Sequence, residues 1–355
     1  MVAALLPHSS ERLRLSGRFV IEICEASPRL FTLLFVLLLT AHCPLLTAFA
    51  SSWSRQKSGT MAWLRAVYFV DQNRGWIAGS NGTLLSTVDG GVTWTKVSLP
   101  GRDTLNDVYF SDNANGWLLA QRDVFKLKAN ERSSYLLKTI DGGVTWQPVF
   151  LDTEDVNARF ARMLFSDSQH GWVFGETGLL FATVDGGAHW LPQRSATKHL
   201  LLGGAFADNH RGLIVGAGAT IMQSHGSSWL LRAPLNGNSA RFNAAALAGN
   251  SAWAVGNAGL IIASANGGRS WFRQQSNVAV DLLDVKFIDA REGWAAGAQG
   301  TLLHTNDGGL HWLAEPIGGS QALERLFIID RSHLWAVGFG GTILKFGERT
   351  SPRLN

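Results

Sequence analysis

Residues 75–94 read GWIAGSNGTLLSTVDGGVTW, and most of this phrase returns along the chain at a nearly fixed interval. Neighbouring copies lie 40 or 41 residues apart, except for one step of 55. A period near 40 residues with short strands and tight turns is typical of a β-propeller, in which each repeat forms one four-stranded sheet. The first Trp of each copy, or the residue in its place, is found at Trp76, Trp117, Trp172, Leu213, Trp253, Trp294 and Trp335.

The first copy carries the sequence signals of four antiparallel strands. Residues 64–70 alternate and are rich in branched and aromatic side chains, which predicts an inner strand. Residues 76–79, 83–87 and 92–99 are predicted as the next three strands, with a hairpin turn at Asn81-Gly82. The seventh copy has signals for only three strands, and we predict that residues 52–56 supply the missing outer strand. The expected fold class is therefore all-β: a seven-bladed β-propeller of four-stranded antiparallel blades, closed by an N-terminal strand.

The turn between the third and fourth strands carries the most specific motif, S/T-x-D-x-G-x-T-W. Its Asp can accept hydrogen bonds from the backbone of its own turn, its Gly supplies a positive φ, and its Trp buries a large apolar face. The fourth copy has Ser224 in place of the Asp, and the seventh copy ends without the motif. We assign structural roles to Asp89, Trp94, Asp141, Trp146, Asp185, Trp190, Asn266, Trp271, Asp307 and Trp312.

The first fifty residues have the parts of a secretory signal peptide. Four arginines before residue 30 precede an apolar stretch at 30–41, and Ala48-Phe49-Ala50 is a small-residue cleavage site. We expect cleavage after Ala50; an uncleaved anchor at residues 30–50 and a lipoprotein modified at Cys43 are the alternatives. Each places the rest of the chain in the periplasm, the thylakoid lumen or the extracellular space. Residues 51–350 are expected to form the propeller and residues 351–355 a short tail.

The bulk composition argues against several classes of protein. The net charge is +4 and only 16% of residues are charged, well short of the density of a nucleic-acid-binding surface. Both cysteines, Cys24 and Cys43, precede residue 51, which excludes a cysteine-based zinc site in the propeller. The histidines are scattered without a second ligand at useful spacing. We expect no metal and no cofactor.

The combined repeat resembles the Asp-box (BNR-type) propellers. More closely, GWIAGSNGTLLSTVDGGVTW and the copy GWAAGAQGTLLHTNDGGLHW resemble the photosystem II stability/assembly factor family, over about residues 60–347. The resemblance implies a seven-bladed propeller outside the cytoplasm or in the thylakoid lumen. It also implies a non-catalytic scaffold that binds membrane-protein precursors during their assembly.

An Asp-box carbohydrate-active enzyme or glycan-binding module is the alternative function. A sialidase-like site needs an arginine cluster, a Tyr nucleophile and a carboxylate partner. The chain has only Tyr68, Tyr109 and Tyr135, and the first two occupy the same slot of successive inner strands. The box aspartates lie in different blades and cannot form an acid pair. We therefore expect no catalytic residue and no enzyme; a purely structural cell-surface module is a third hypothesis.

Basic residues gather at the blade-to-blade connections or at the start of the inner strand, where they would surround one mouth of the central channel. Such a ring would attract an acidic segment of another protein, or lipid headgroups, whereas the alternative is ordinary solvated loop charge. An insertion at Gln121–Ser133 in the second copy is a further candidate contact, and we expect a monomer. The sixth copy has Asp281 and Asp284 instead of a basic residue. The candidate partner-binding residues are Arg65, Arg102, Arg159, Arg162, Lys198, Arg241 and Arg325.

Overall fold

The computed structural model describes residues 52–225, 228–232 and 240–347. In these ranges, 28 strands form seven four-stranded antiparallel sheets, and each inner strand contacts the inner strand of the next sheet. The last inner strand contacts the first, so the described sheets form a closed ring and confirm the predicted fold class. The leader expected at 1–50 and the tail expected at 351–355 lie outside the described residues.

The strands, in chain order, are β1 (Ser52–Gln56), β2 (Leu64–Phe69), β3 (Gly75–Gly79), β4 (Leu84–Thr87), β5 (Thr95–Val97), β6 (Thr104–Phe110), β7 (Gly116–Gln121), β8 (Ser134–Thr139), β9 (Gln147–Val149), β10 (Phe160–Phe165), β11 (Gly171–Gly175), β12 (Leu180–Thr183), β13 (Leu191–Pro192), β14 (Leu201–Phe206), β15 (Gly212–Gly216), β16 (Ile221–His225), β17 (Ser228–Arg232), β18 (Phe242–Ala248), β19 (Ser251–Gly256), β20 (Ile261–Ser264), β21 (Phe272–Gln274), β22 (Leu282–Phe287), β23 (Gly293–Gly297), β24 (Leu302–Thr305), β25 (Leu313–Ala314), β26 (Leu323–Asp330), β27 (His333–Gly338) and β28 (Thr342–Gly347). Blade 1 contains β2–β5, and blades 2 to 6 take the following strands four at a time. Blade 7 contains β26–β28 and β1.

The ring is closed by the N-terminal strand, as the missing outer strand of the seventh repeat predicts. Strand β1 pairs antiparallel with β28, with Trp53 opposite Phe346 and Gln56 opposite Ile343. The side chain of Trp53 is buried in a cluster with Trp294 and Leu334. Pairing with β1 therefore covers the free edge of β28 and also adds an aromatic side chain to the core.

Stacked aromatic pairs hold most neighbouring blades together. The Trp of the second strand lies flat on a Phe from the inner strand of the next blade, as in Trp76–Phe110 at 3.5 Å and Trp253–Phe287 at 3.5 Å between ring centroids. The indole N–H of Trp253 also donates to the carbonyl oxygen of Gly308 in the next blade, at 3.0 Å. Trp335 donates in the same way to the carbonyl oxygen of Gly90, at 3.1 Å. At these two interfaces the repeated Trp supplies both apolar contact and a hydrogen bond.

Turn chemistry sets the length of the strands. Asn81 and Gly82 both have positive φ, of 56° and 64°, as a two-residue hairpin requires. Gly75 has no room for a side chain, because a Cβ atom there would lie 2.4 Å from the ring of Phe69. The outer strand of blade 1 is only Thr95–Val97, shorter than predicted, because residues 88–94 are held in the Asp-box turn. Helices in the described ranges are single 3₁₀ turns, so none is long enough to cross a membrane.

Candidate partner-binding site

The meander places its turns on two opposite faces of the ring. On one face the Asp-box turns lie beside the first-to-second-strand turns, as shown by the bond from Gly90 N–H to Asn73 O at 2.8 Å. On the other, the second-to-third-strand turns lie beside the blade-to-blade connections, as shown by Gly82 N–H to Asp103 O at 2.9 Å. We call these the Asp-box face and the connection face.

The Asp boxes are turns in which the Asp carboxylate accepts hydrogen bonds from residues of its own loop. In blade 1, Asp89 Oδ1 accepts from Thr87 Oγ1 at 2.8 Å and from Thr93 N–H at 2.9 Å, while Oδ2 accepts from Thr93 Oγ1 at 2.6 Å. These bonds, that of the Thr93 hydroxyl first, lower the pKa of Asp89 to about 2. The same pattern surrounds Asp141, and it surrounds Asp185 and Asp307 with a His ring nitrogen in place of the second Thr hydroxyl. These aspartates stabilise turns and are not aimed at a common site.

Blades 4 and 5 depart from this pattern. Asn266 accepts the N–H of Ser270 on its oxygen and donates its amide to the Ser270 hydroxyl at 2.8 Å, so that box survives without a charge. The alignment of Ser224 with the box Asp was wrong: Leu213 pairs with Gln223 as Trp76 pairs with Ser86, so Ser224 takes the first Ser/Thr position. It bonds to the backbone of residues 210 and 212 and forms no box. The box tryptophans lie half-buried or buried between blades; Trp312, the most enclosed of them, is 3% exposed.

The seven candidate basic residues fall into two groups on the connection face. Three lie in the channel, where Arg65, Arg162 and Arg325 line a cavity of about 230 Å³ together with Glu324 and neutral amides. The other four, at the blade-to-blade connections, form a rim: Arg102, Arg159, Lys198 and Arg241. The structure therefore brings three of the predicted residues into one site and distributes the rest around it.

Two of the channel arginines form buried ion pairs between blades. Arg162 Nε lies 3.0 Å from Asp107 Oδ2, and Arg325 Nη1 lies 4.0 Å from Asp284 Oδ1. Each carboxylate also accepts a backbone N–H from the inner strand of the next blade, at 3.1 Å for Asp107 and 2.9 Å for Asp284. Burial raises the pKa of Asp107, and the charge of Arg162 opposes this shift. These two pairs were not foreseen from the sequence, in which the four residues appear as separate loop charges.

The channel arginines keep donors that no described group accepts. Nε of Arg65, Nε and Nη1 of Arg162, and Nε of Arg325 are enclosed and lack a hydrogen-bond acceptor among the described residues. At Arg162 the short approach to Asp107 is not aligned as a hydrogen bond, so the two groups attract only as charges. Glu324 accepts the indole N–H of Trp63, and burial raises its pKa while Arg65 opposes that shift. Spare guanidinium donors in a narrow channel are suited to a carboxylate or carbonyl oxygen.

The rim is partly neutralised. Arg159 lies 3.7 Å from Glu176, and Arg241 Nη2 lies 2.5 Å from Asp281 Oδ2. Arg102 and Lys198 are exposed and have no carboxylate within 4.0 Å among the described residues. Two of the four rim cations are therefore available to a partner without first breaking an ion pair.

An exposed apolar cluster on the same face was missed in the sequence. Trp63 and Phe339 meet edge to face at 5.7 Å, with side chains 36% and 53% exposed, and Met61 beside them is 83% exposed. The guanidinium of Arg65 lies 4.7 Å from the Trp63 ring centroid. A signal was present: Trp63 lies outside the Trp positions of the repeat, and Phe339 occupies a turn position where other blades have small or polar residues.

The insertion of blade 2 forms the loop at residues 122–133 on the connection face. Arg122 donates to the carbonyl of Arg132 at 2.6 Å, and Arg132 donates to Thr153 at the base of the loop. At the tip, the side chain of Phe125 is 96% exposed. The loop is thus braced at its base and presents an aromatic side chain to solvent.

The three tyrosines are enclosed, and two of them donate hydrogen bonds within the protein. Tyr135 donates to Asp103 at 2.7 Å, and burial, followed by this carboxylate, raises the pKa of its phenol. Tyr109 donates to a backbone carbonyl, and burial raises the pKa of Tyr68 to about 12. Burial thus raises the pKa of all three phenols. In the described ranges, no three His, Cys, Asp or Glu side chains converge as a metal site.

The fold and these surfaces define a seven-bladed Asp-box propeller with a basic channel mouth. The family model described as "Photosynthesis system II assembly factor YCF48" matches residues 46–100, 93–194, 189–279 and 270–346. The chain belongs to this family, which confirms the resemblance drawn from the repeat.

Individual relatives are distant. Photosystem II assembly protein Ycf48 of Thermosynechococcus vestitus is 25% identical over 259 residues, which cover 62% of this chain and 74% of that protein. Photosystem II assembly lipoprotein Ycf48 of Synechococcus sp. (strain CC9902) is 29% identical over 147 residues, 41% of this chain and only 40% of that relative. The solved structure of YCF48 bound to D1 peptide has a TM-score of 0.68 at 21% identity and covers 83% of this chain and 96% of its own, a likeness of fold.

Proposed function

We propose that this protein is an exported, non-catalytic assembly factor that binds an unassembled photosystem II subunit through its connection face. The channel arginines would engage an acidic segment of that subunit. Membership of the YCF48 family supports this proposal, as does the D1 peptide bound to a related propeller. The channel mouth of this protein is a basic, enclosed surface on which a peptide of such a subunit could bind.

The observation that carries the proposal is the convergence of Arg65, Arg162 and Arg325 on one cavity of the channel. A carboxylate that enters this cavity would lie among three guanidinium groups and a single acid, Glu324, and could accept charge-assisted hydrogen bonds. Asp107 and Asp284 keep Arg162 and Arg325 in place, which lowers the cost of ordering them when a ligand binds. The exposed Trp63–Phe339 cluster supplies an apolar contact beside the charged one.

A binding measurement with the D1 peptide tests this proposal. Fluorescence anisotropy would compare the wild type with R65Q and R102E, which change one channel and one rim cation. Each should weaken binding, by about tenfold for a lost charge contact near a desolvated site. The matched control is R291E, because Arg291 is exposed on the Asp-box face. Equal affinity of the wild type and an R65Q/R102E double variant would contradict the proposal.

We also propose that residues 51–355 act outside the cytoplasm. The signal-like leader supports this, and one relative is named a lipoprotein, which keeps the alternative at Cys43 relevant. Mass spectrometry of the protein from native membranes should find Ser51 at the N-terminus. A lipid-modified Cys43 would establish the alternative, and an intact leader would establish the anchor.

A further inference from the structure

The interface between blades 4 and 5 departs from the repeat at positions that meet in space. Leu213 occupies the place of the second-strand Trp, and Leu247 occupies the place of the Phe on which that Trp stacks. The flanking interfaces keep both rings, with Trp172–Phe206 at 3.7 Å and the corresponding pair of blades 5 and 6 at 3.5 Å. Both leucines line a cleft of about 560 Å³ on the Asp-box face.

A hydrogen bond between blades 4 and 5 borders the cleft. Gln223 donates to Gly267 O at 2.6 Å, the same acceptor position that Trp253 reaches at Gly308 one interface further on. Its own oxygen accepts Arg232 Nε at 2.9 Å. The Gln223 amide thus makes the hydrogen bond that an indole makes elsewhere, although its side chain is smaller than an indole. The hydrogen bonds from Arg232 to Gln223 and from Gln223 to Gly267 hold these side chains at the wall of the cleft.

The charged residues that line the cleft are all basic. Arg211, Arg232 and Arg269 line it, and no Asp or Glu is among the described residues of its lining. Arg211 pairs with Asp208 outside the lining at 2.8 Å, whereas Arg232 and Arg269 have no carboxylate within 4.0 Å in the described part of the chain. In blade 5, Asn266 stands where blades 1, 2, 3 and 6 carry the box Asp, and in blade 4 the sequence SHGSSW at 224–229 contains no Asp. Neither of the two turns beside the cleft therefore contributes a box carboxylate to it.

We propose that this cleft binds a short acidic peptide segment of a partner protein, with an aromatic side chain of the segment in the space left by the missing indole and phenyl rings. Flanking carboxylates of the segment would pair with Arg232 and Arg269. Aromatic anchors with charged neighbours are the usual determinants of such contacts. The site lies on the face opposite the channel mouth, and it deepens the proposed peptide-binding function by adding a second, separate contact.

The test uses a blocked pentapeptide, acetyl-Glu-Glu-Trp-Glu-Glu-amide, and matched peptides with a central Ala or with Lys flanks. We expect binding of the first peptide, measured by isothermal titration calorimetry, and weaker binding of the other two by about tenfold or more. The triple variant L213W/Q223A/L247F copies the Trp, Ala and Phe of the flanking interfaces and fills the cleft. It should remain folded with a raised Tm and lose binding, and R269E should lose binding independently.

The controls separate this proposal from that for the channel. R291E, at an exposed residue of the Asp-box face outside the cleft lining, should leave binding of the acidic pentapeptide unchanged. In the R65Q/R102E variant, in which binding at the channel mouth is weakened, the remaining pentapeptide binding should be lost on adding R269E. Undiminished binding by both the filled variant and R269E would overturn the cleft proposal, as would the absence of binding by the wild type. Loss of pentapeptide binding in R102E with retention in R269E would place the peptide at the channel mouth, which also overturns it. Should the filled variant fail to fold, R269E alone decides.

Discussion

Trp53 lies directly opposite Phe346 in the antiparallel pair that closes the ring, with their ring centroids 5.3 Å apart. The Trp53 side chain is 8% exposed and packs on residues of blades 6 and 7. We expect Trp53→Ala to lower the free energy of unfolding by about 3–5 kcal/mol, the usual cost of truncating a large buried aromatic. Urea denaturation followed by circular dichroism measures this. Trp63→Ala, at a partly exposed Trp, is the control and should cost much less; equal losses would show that closure does not depend on Trp53.

The buried ion pairs predict unequal roles for two aspartates of blade 6 and the loop before it. Asp284→Ala leaves Arg325 buried without its partner and removes the acceptor of the Leu326 N–H, so we expect a loss of about 3–5 kcal/mol. Asp281→Ala removes the exposed partner of Arg241 and should cost less than about 1 kcal/mol. Chemical denaturation of both variants gives the comparison. Similar losses in the two would mean that the buried carboxylate does not join the blades.

The Asp boxes predict a loss of stability in acid. Hydrogen bonds within the turn lower the pKa of Asp89, Asp141 and Asp307 to about 2, below the value of about 3.9 in an unfolded chain. A lowered folded-state pKa contributes stability above the unfolded value, and this contribution is lost as the pH falls through the folded value. The unfolding free energy should therefore decrease between about pH 4 and pH 2.

The matched variant for this prediction is D89N/D141N/D307N. Asn266 already occupies a box position in blade 5 and keeps the turn, so the substitutions should preserve the fold. The acid-induced decrease should be smaller in the triple variant than in the wild type. An identical pH profile would show that other carboxylates cause the acid sensitivity.

His304 predicts a separate dependence on pH. Its ring stacks on Trp294 at 4.5 Å, with Glu315 3.4 Å from Nδ1 and Glu292 3.5 Å from Nε2. The hydrogen bond with Glu315 is the main cause that raises the pKa of His304. A raised folded-state pKa contributes stability below the unfolded value of about 6.5, and the contribution is lost as the pH rises through the folded value.

An NMR titration of the His304 ring checks this prediction directly. The pKa should lie above that of an unstructured histidine and should fall in Glu315→Gln, which removes the nearer charge. The loss of stability on raising the pH above about 6.5 should be smaller in His304→Gln than in the wild type. An ordinary pKa in the wild type would contradict the assigned contacts.

The sequence predicted the architecture because its determinants are local and repeated. The alternation of β2, the Asn81-Gly82 turn and the Asp boxes each specify a short segment, and the missing strand of the seventh copy identifies its replacement. Which arginines are free was not predictable, because Arg162 and Arg325 meet acids contributed by a neighbouring blade. The sequence likewise showed Leu213 and Ser224 as departures from the repeat, but only packing brings them together with Leu247 and Asn266. Contacts across blades depend on ring geometry, which no single repeat encodes.

The seam between β1 and β28 joins the first and last strands that the ribosome makes. Blades 1 to 6 can assemble in order as the chain emerges, but the seventh sheet must wait for residues 342–347. Until then β1 and the outer edge of β27 lack their partner, and each could pair with another chain. Loss of the last strand would therefore leave the seventh sheet with only its two inner strands and β1 with no sheet to join.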